Sequence, residues 1–126
     1  MKQVLFILLV FISFQAIAQE SVKVKEIGLE VMKKDLGEMT VDEAKEICEA
    51  FGGGWRLPTI EELKKMYKYK DFIGGFEDNL YWSSSVSNAK GPFYFYHSFY
   101  YDTSFDDSYN DYPGGRNAVR VVRDLK

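Results

Sequence analysis

The chain has 126 residues, 46% of them hydrophobic and 17% aromatic, with a formal net charge of −3 and a single cysteine. That length suits one domain with its own core, held without metal or disulfide staples, since Cys48 has no second cysteine to pair with. The acidic balance argues against nucleic acid and anionic membranes as partners, and against sulfated polysaccharides.

Met1 and Lys2 give a short positive start, and Val4 to Phe14 is an apolar run of signal-peptide length, too short to span a bilayer. Ala16-Ile17-Ala18 fits a small-x-small cleavage site, so the cut is expected after Ala18, leaving residues 19–126 as one domain. No cysteine follows that site and no later stretch is apolar enough to cross a membrane. An exported chain without a lipid anchor or membrane span is expected, periplasmic or secreted.

Gln19 to Glu26 reads as a polar leader, and Ile27 to Met32 as a first strand. Lys33 to Gly37 reads as a turn. Thr40 and Glu43 form a capping box, with Met39 and Ala44 at the staple positions, and Val41, Ala44, Ile47, Cys48 and Phe51 repeat at helical spacing up to Gly52-Gly53-Gly54. Cys48, on the apolar side, reads as a buried inert thiol. Thr59 and Glu62 form a second capping box, followed by a helix that buries Ile60, Leu63, Met66 and Tyr67. Ile73 to Phe76 breaks the pattern. Tyr81 to Val86 reads as a strand, Ser87 to Pro92 as a turn, and Val119 to Arg123 as the closing strand. One strand, two helices and then strands only predict an α+β fold with an antiparallel sheet. Trp55 and Trp82 read as core anchors, and Arg56, Arg120 and Arg123 as partners of Asp or Glu at the surface or at strand ends.

Phe93 to Tyr112 is the candidate site. Ten of its twenty residues are Phe or Tyr, four are Asp, and the remainder are Ser, Thr, Asn and His. Rigid amphipathic rings mixed with short polar groups are how binding loops are built. Strand alternation predicts that Phe93, Phe95, His97, Phe99 and Tyr101 face the core and that Tyr94, Tyr96, Ser98 and Tyr100 face out. Asp102 to Gly115 reads as a polar aromatic loop. The candidate ligand-binding residues are Tyr94, Tyr96, Tyr100, Asp102, Asp106, Asp107, Tyr109, Asn110 and Tyr112. Asp102, Asp106, Asp107, Asn110 and Asp111 offer hard oxygens for Ca²⁺, but the calcium-loop pattern with its glycine is missing, so no metal and no cofactor is expected. His97 lies near Ser98 and several Asp, which is the composition of a hydrolase triad without a G-x-S-x-G elbow. A structural histidine is expected instead.

Four segments carry a family resemblance: GGGWRLPTIEEL (Gly52 to Leu63), IGGF (Ile73 to Phe76), YWSSS (Tyr81 to Ser85) and VRVVR (Val119 to Arg123). In order and spacing the chain from Gly28 to Asp124 resembles the collagen-like-protein C-terminal domain family (Lcl C-terminal domain), a domain of unknown function common in exported bacterial proteins. The resemblance implies a C-type-lectin-like fold, with two helices beside a small twisted antiparallel sheet and long loops at one end. It brings no catalytic residues. Some members look like surface adhesins for sulfated glycans, a ligand class that the acidic segment here disfavours. The same fold serves the variable proteins of diversity-generating retroelements. Every residue type from Phe93 to Tyr112 is reachable from an asparagine codon by adenine replacement, as a diversified binding protein would require.

The expected function is an exported, non-enzymatic ligand-binding domain that recognises a protein or a neutral or basic glycan. The alternatives are a structural or assembly domain packed on an envelope partner protein, and a small hydrolase using His97.

Overall fold

The structure, a computed structural model, describes residues 20–87, 93–106 and 115–126. Among the described residues, eight strands form two sheets. Strands β1 (Ser21–Val24), β2 (Leu29–Met32) and β8 (Val122–Asp124) pair antiparallel in the order β1-β2-β8. Strands β3 (Glu38–Met39), β4 (Leu80–Ser87), β5 (Phe93–Ser98), β6 (Thr103–Asp106) and β7 (Asn117–Ala118) form the second, in the order β3-β7-β4-β5-β6. The architecture is α+β as expected. The sheet is mixed and not purely antiparallel, because β7 joins β4 in parallel through Tyr81 and Ala118.

The segment read as a polar leader is a strand. Val22 and Val24 alternate with Lys23, Val22 stands opposite Val31 and Val24 opposite Leu29, and Val24 is fully buried. The first strand is therefore split from the second by one 3-10 turn, Lys25–Ile27, which ends on Gly28 in the left-handed region. All four residues of β2 are buried, Glu30 included, so its weak alternation does not mark an exposed face. Hydrogen bonds from Ser21 and Arg123 (Nε to Oε1, 2.8 Å) hold the Glu30 carboxylate.

Helices α1 (Val41–Phe51) and α2 (Ile60–Lys68) start where the capping boxes predict. The Thr40 hydroxyl accepts from the Glu43 amide and the Glu43 carboxylate accepts from the Thr40 amide. Thr59 and Glu62 repeat the arrangement. Each box satisfies two amides that the helix start leaves without an internal partner. Helix α1 ends on Gly52 at φ +61, ψ −153, a region open to glycine. A short helix α3 (Lys70–Ile73) follows α2 and closes on Gly74.

The two helices serve different cores. Ala44 and Ile47 of α1 pack with Trp82, Tyr96, Met39, Val119 and Val121. Leu63 and Met66 of α2 pack with Tyr81, Phe99, Ala118 and Val122. Trp82 and Tyr81 are neighbours in β4 and point to opposite faces, so the central sheet is buried on both faces. Trp82 is a core anchor as expected, with its indole N–H donating to the Met39 carbonyl at 2.8 Å.

Arg120 departs most sharply from the surface pairing expected of it. It is fully buried. Its Nε donates to Asp35 Oδ1 at 2.8 Å, and Nη1 donates to the Met32 and Gly74 carbonyls at 2.9 Å each. Nη2 stands 2.8 Å from the same Asp35 oxygen as an ion-pair contact, without a hydrogen bond of its own. Phe76 covers the guanidinium at 3.9 Å from its ring centroid, and the Tyr81 hydroxyl donates to Asp35 Oδ2 at 2.8 Å. Burial still pushes the Asp35 carboxyl above its usual range, against the pull of Arg120 and Tyr81. The ion pair thus recovers only part of the desolvation it requires. The GG of the IGGF segment belongs to this enclosure. Gly75 sits at φ +75, and a Cβ there would lie 2.0 Å from the Lys33 carbonyl oxygen. Val119 to Val121, expected inside the closing strand, form the link between β7 and β8 that carries Arg120. Their backbone bonds go to Leu36, Gly37 and Met32.

Candidate functional site

Strand β5 lies between β4 and the edge strand β6, and its position overrides the predicted alternation. Tyr96, His97, Ser98 and Phe99 are buried in succession. Tyr96, expected to face out and bind, is 3% exposed; it packs between Trp82 (ring centroids 5.7 Å) and Phe105 (5.8 Å) on the α1 face. His97 and Phe99 fill the α2 face against Tyr67. Side chains still alternate, but both faces are covered, so alternation does not sort inside from outside. Tyr101, expected in the core, is 72% exposed, because the strand ends at Ser98 and Phe99 to Asp102 form a turn. Thr103 to Asp106, expected in a loop, are β6 and return along β5.

The candidate surface is therefore divided into two ends separated by core, roughly 15–20 Å apart at about 3.3 Å per strand residue. At one end is the β5–β6 turn. Tyr100 and Tyr101 are both exposed, in edge contact with centroids 4.4 Å apart. Their amides donate to the Ser98 hydroxyl. Asp102 adopts φ +53, the only non-glycine residue with positive φ among the described residues.

The same turn explains His97. Its Nε2 meets Asp102 Oδ1 at 2.8 Å and its Nδ1 meets the Ser104 hydroxyl at 2.7 Å. These are the residue types of a hydrolytic triad, but the ring is 1% exposed and walled by Tyr67 and Phe99. A general base must reach the proton that it abstracts from a nucleophile open to substrate. The observed relay instead ties turn, β5 and β6 together. Burial pushes the imidazole pKa down, and Asp102 opposes that, so the neutral ring donates to Asp102 and accepts from Ser104. Asp102 and Asp106 lie at opposite ends of β6 and do not converge. Among the described residues no three His, Cys, Asp or Glu side chains gather closely enough to hold a metal ion.

At the other end, Tyr94 forms one wall of an open cleft of about 360 Å³. Lys45, Cys48 and Glu49 line it from α1, Trp55 and Leu57 contribute from the α1–α2 crossing, and Ser84 comes from β4. Local rules build each side. The register between β4 and β5 shifts between Trp82 and Val86, which sets Val86 opposite Tyr94. Arg56 bridges to Val122 through two backbone hydrogen bonds and binds Glu62 in two contacts (2.7 and 2.9 Å) and Asp124 at 2.6 Å. That clamp fixes the crossing that carries Trp55. The indole is 8% exposed and has Arg123 4.4 Å from its ring centroid. Trp55 is thus a core anchor, as expected, that also touches the cleft.

Lys45 Nζ lies 4.6 Å from the Tyr94 ring centroid and contacts its hydroxyl. An exposed contact of this kind contributes about 0.5–1 kcal/mol and gives way readily. Cys48 is half-buried, and burial pushes its thiol up to about 11, which keeps it protonated and inert. Lys45, Glu49 and Ser84 carry no signal of their own in the sequence, and only the fold brings them beside Tyr94.

Asp106 ends β6 opposite Phe95, at the Tyr94 end of the sheet. Asp107, Tyr109, Asn110 and Tyr112 lie outside the described residues, as does Asp111. No helix among the described residues is long and apolar enough to cross a membrane. No family model and no curated protein sequence matches this chain.

Proposed function

We propose that this chain is an exported, non-enzymatic ligand-binding domain with a C-type-lectin-like fold of the Lcl C-terminal type, acting in the periplasm or outside the cell. The observation that carries the reading is the Tyr94 cleft. An aromatic wall, a tryptophan edge and the polar side chains of Lys45, Glu49 and Ser84 converge there in a concave, accessible site. The Tyr/Asp-rich sequence that continues beyond Asp106 adds to the support, because its composition is that of a recognition loop. The ligand is a protein epitope or a glycan.

The test is an array of proteins and glycans probed with the chain and with a Tyr94→Ala variant whose circular dichroism is unchanged. Binding that weakens by about tenfold or more supports the site. A ligand held equally well by the variant sinks it.

The exposed Tyr100–Tyr101 pair favours a second reading, in which the domain packs on an envelope partner through the β5–β6 turn. Light scattering after size exclusion separates the two. Self-association or a co-purifying partner that is lost on Tyr100→Ser/Tyr101→Ser supports packing, and a monomer that co-purifies with no partner rejects it.

A further inference from the structure

Resting on the capture reading above, we infer that the Tyr94 cleft is a subsite for one ring of a neutral saccharide, bound without calcium. The first argument is shape. A pyranose ring has an apolar C–H face and a hydroxylated edge, and an aromatic wall beside an apolar floor accommodates that face. Tyr94 supplies the wall, and Trp55, Leu57 and Cys48 the floor, in about 360 Å³.

The second argument is the charge of the rim. Arg56 is already committed to Glu62 and Asp124. Lys45 and Glu49 have no ion-pair partner among the described residues, and Ser84 is exposed, with only a 3.5 Å contact from its hydroxyl to the Pro58 carbonyl. Outside the Arg56 ion pairs, the rim therefore offers an ammonium donor that now contacts Tyr94, a carboxylate acceptor and a hydroxyl that does both, one charge of each sign. A sulfated or uronic ring would gain from Lys45 but meet Glu49, and a cationic ring the reverse, so neither gains net attraction from this rim. An aromatic side chain of a protein would fill the floor but leave donor and acceptor desolvated without partners, which weakens binding. A neutral polyol matches both. Lys45 now rests over the Tyr94 ring, and its long exposed side chain can swing aside and turn its donors to the incoming hydroxyls.

The experiment is a glycan array of neutral hexose and pentose oligomers with sulfated and uronic counterparts, probed with the full exported chain, followed by calorimetry with and without EDTA. A neutral oligosaccharide should bind, with affinity unchanged by EDTA. Tyr94→Ala should weaken it about tenfold, Lys45→Met and Glu49→Gln about fivefold each, and Phe72→Ser, on α3, should leave it unchanged. Glu49 lies on the exposed face of α1, so Glu49→Gln reports on the site even where Tyr94→Ala perturbs folding. No binding across the neutral set, a preference for sulfated or uronic rings, loss of binding with EDTA, or full binding by Glu49→Gln overturns the inference. A protein ligand that is lost with Tyr94→Ala, while no saccharide binds, overturns the saccharide assignment and leaves the capture reading standing.

Discussion

Gly74 and Gly75 offer a controlled comparison of two adjacent glycines. Both adopt positive φ, +84 and +75. Alanine at either position is strained by its backbone alone, at about 1–3 kcal/mol. At Gly74 a Cβ would meet nothing within 4 Å, so strain is the whole effect. At Gly75 the Cβ would lie 2.0 Å from the Lys33 carbonyl oxygen and 3.2 Å from Arg120 Nη2. Neither neighbour yields easily: one is backbone, and the other belongs to a guanidinium held by Asp35 and two carbonyls. Relieving the clash must shift the Gly74–Phe76 segment or Lys33, which loosens a hydrogen bond from a buried charge worth about 1.5–3 kcal/mol. Gly75→Ala should therefore destabilise the fold by about 3–5 kcal/mol, and Gly74→Ala by about 1–3. The total stability of a domain this size is about 5–15 kcal/mol. Urea titrations with a shared slope measure the difference, and in melting each kcal/mol corresponds to about 4–8 °C. Equal effects of the two substitutions, within about 0.5 kcal/mol, would refute the close packing of Gly75 against Lys33 and with it the account of the IGGF segment.

Arg120→Met should cost about 3–5 kcal/mol by stranding Asp35, and adding Asp35→Asn should recover part of that loss; a double-mutant cycle with simply additive effects would show that the two do not interact. Thr40→Ala and Thr59→Ala should each cost about 1 kcal/mol in chemical denaturation. Stability should also fall in acid. The Thr40 amide holds the Glu43 carboxyl below its usual range against slight burial, and in Glu62 burial is outweighed by the hydrogen bonds from Arg56 and Thr59. The contribution of both is present above their unfolded value near pH 4.5 and is lost as pH falls through the lowered folded values; stability that stays flat on acidification through that range would contradict it. His97, with its pKa depressed by burial, adds an earlier step: on acidification below about 6.5 the unfolded chain takes its proton first, and stability falls until the folded value is reached. His97→Gln should abolish that step, and an imidazole that titrates by NMR at or above the ordinary value rules it out.

The starts of both long helices and the end of α1 were legible to the residue, because capping boxes and a glycine stop act through the local chain, whereas the end of α2 at Lys68 and the separate α3 were not. Thr40 with Glu43 and Thr59 with Glu62 satisfy the same amides in an isolated segment as in the fold. The strand SVKV was equally local in its alternation, yet its polar flanks hid it, since its partner Leu29–Met32 is what stabilises it. Burial within β5 was not legible. Alternation predicts inside and outside only when one face of a sheet meets water, and here α1 covers one face while α2 covers the other.

The candidate site divides in the same way. Composition alone marked Tyr94, Tyr100 and the surrounding segment, because ring content and missing aliphatics are properties of the chain. The exclusion of Tyr96, the enclosure of Arg120 with Asp35 eighty-five positions away, and the meeting of Lys45, Glu49, Trp55 and Ser84 beside Tyr94 were decided by the tertiary structure. Local propensities act within a few residues, whereas which side chain loses its water, and which charges then stand without partners, depends on what distant segments pack against it.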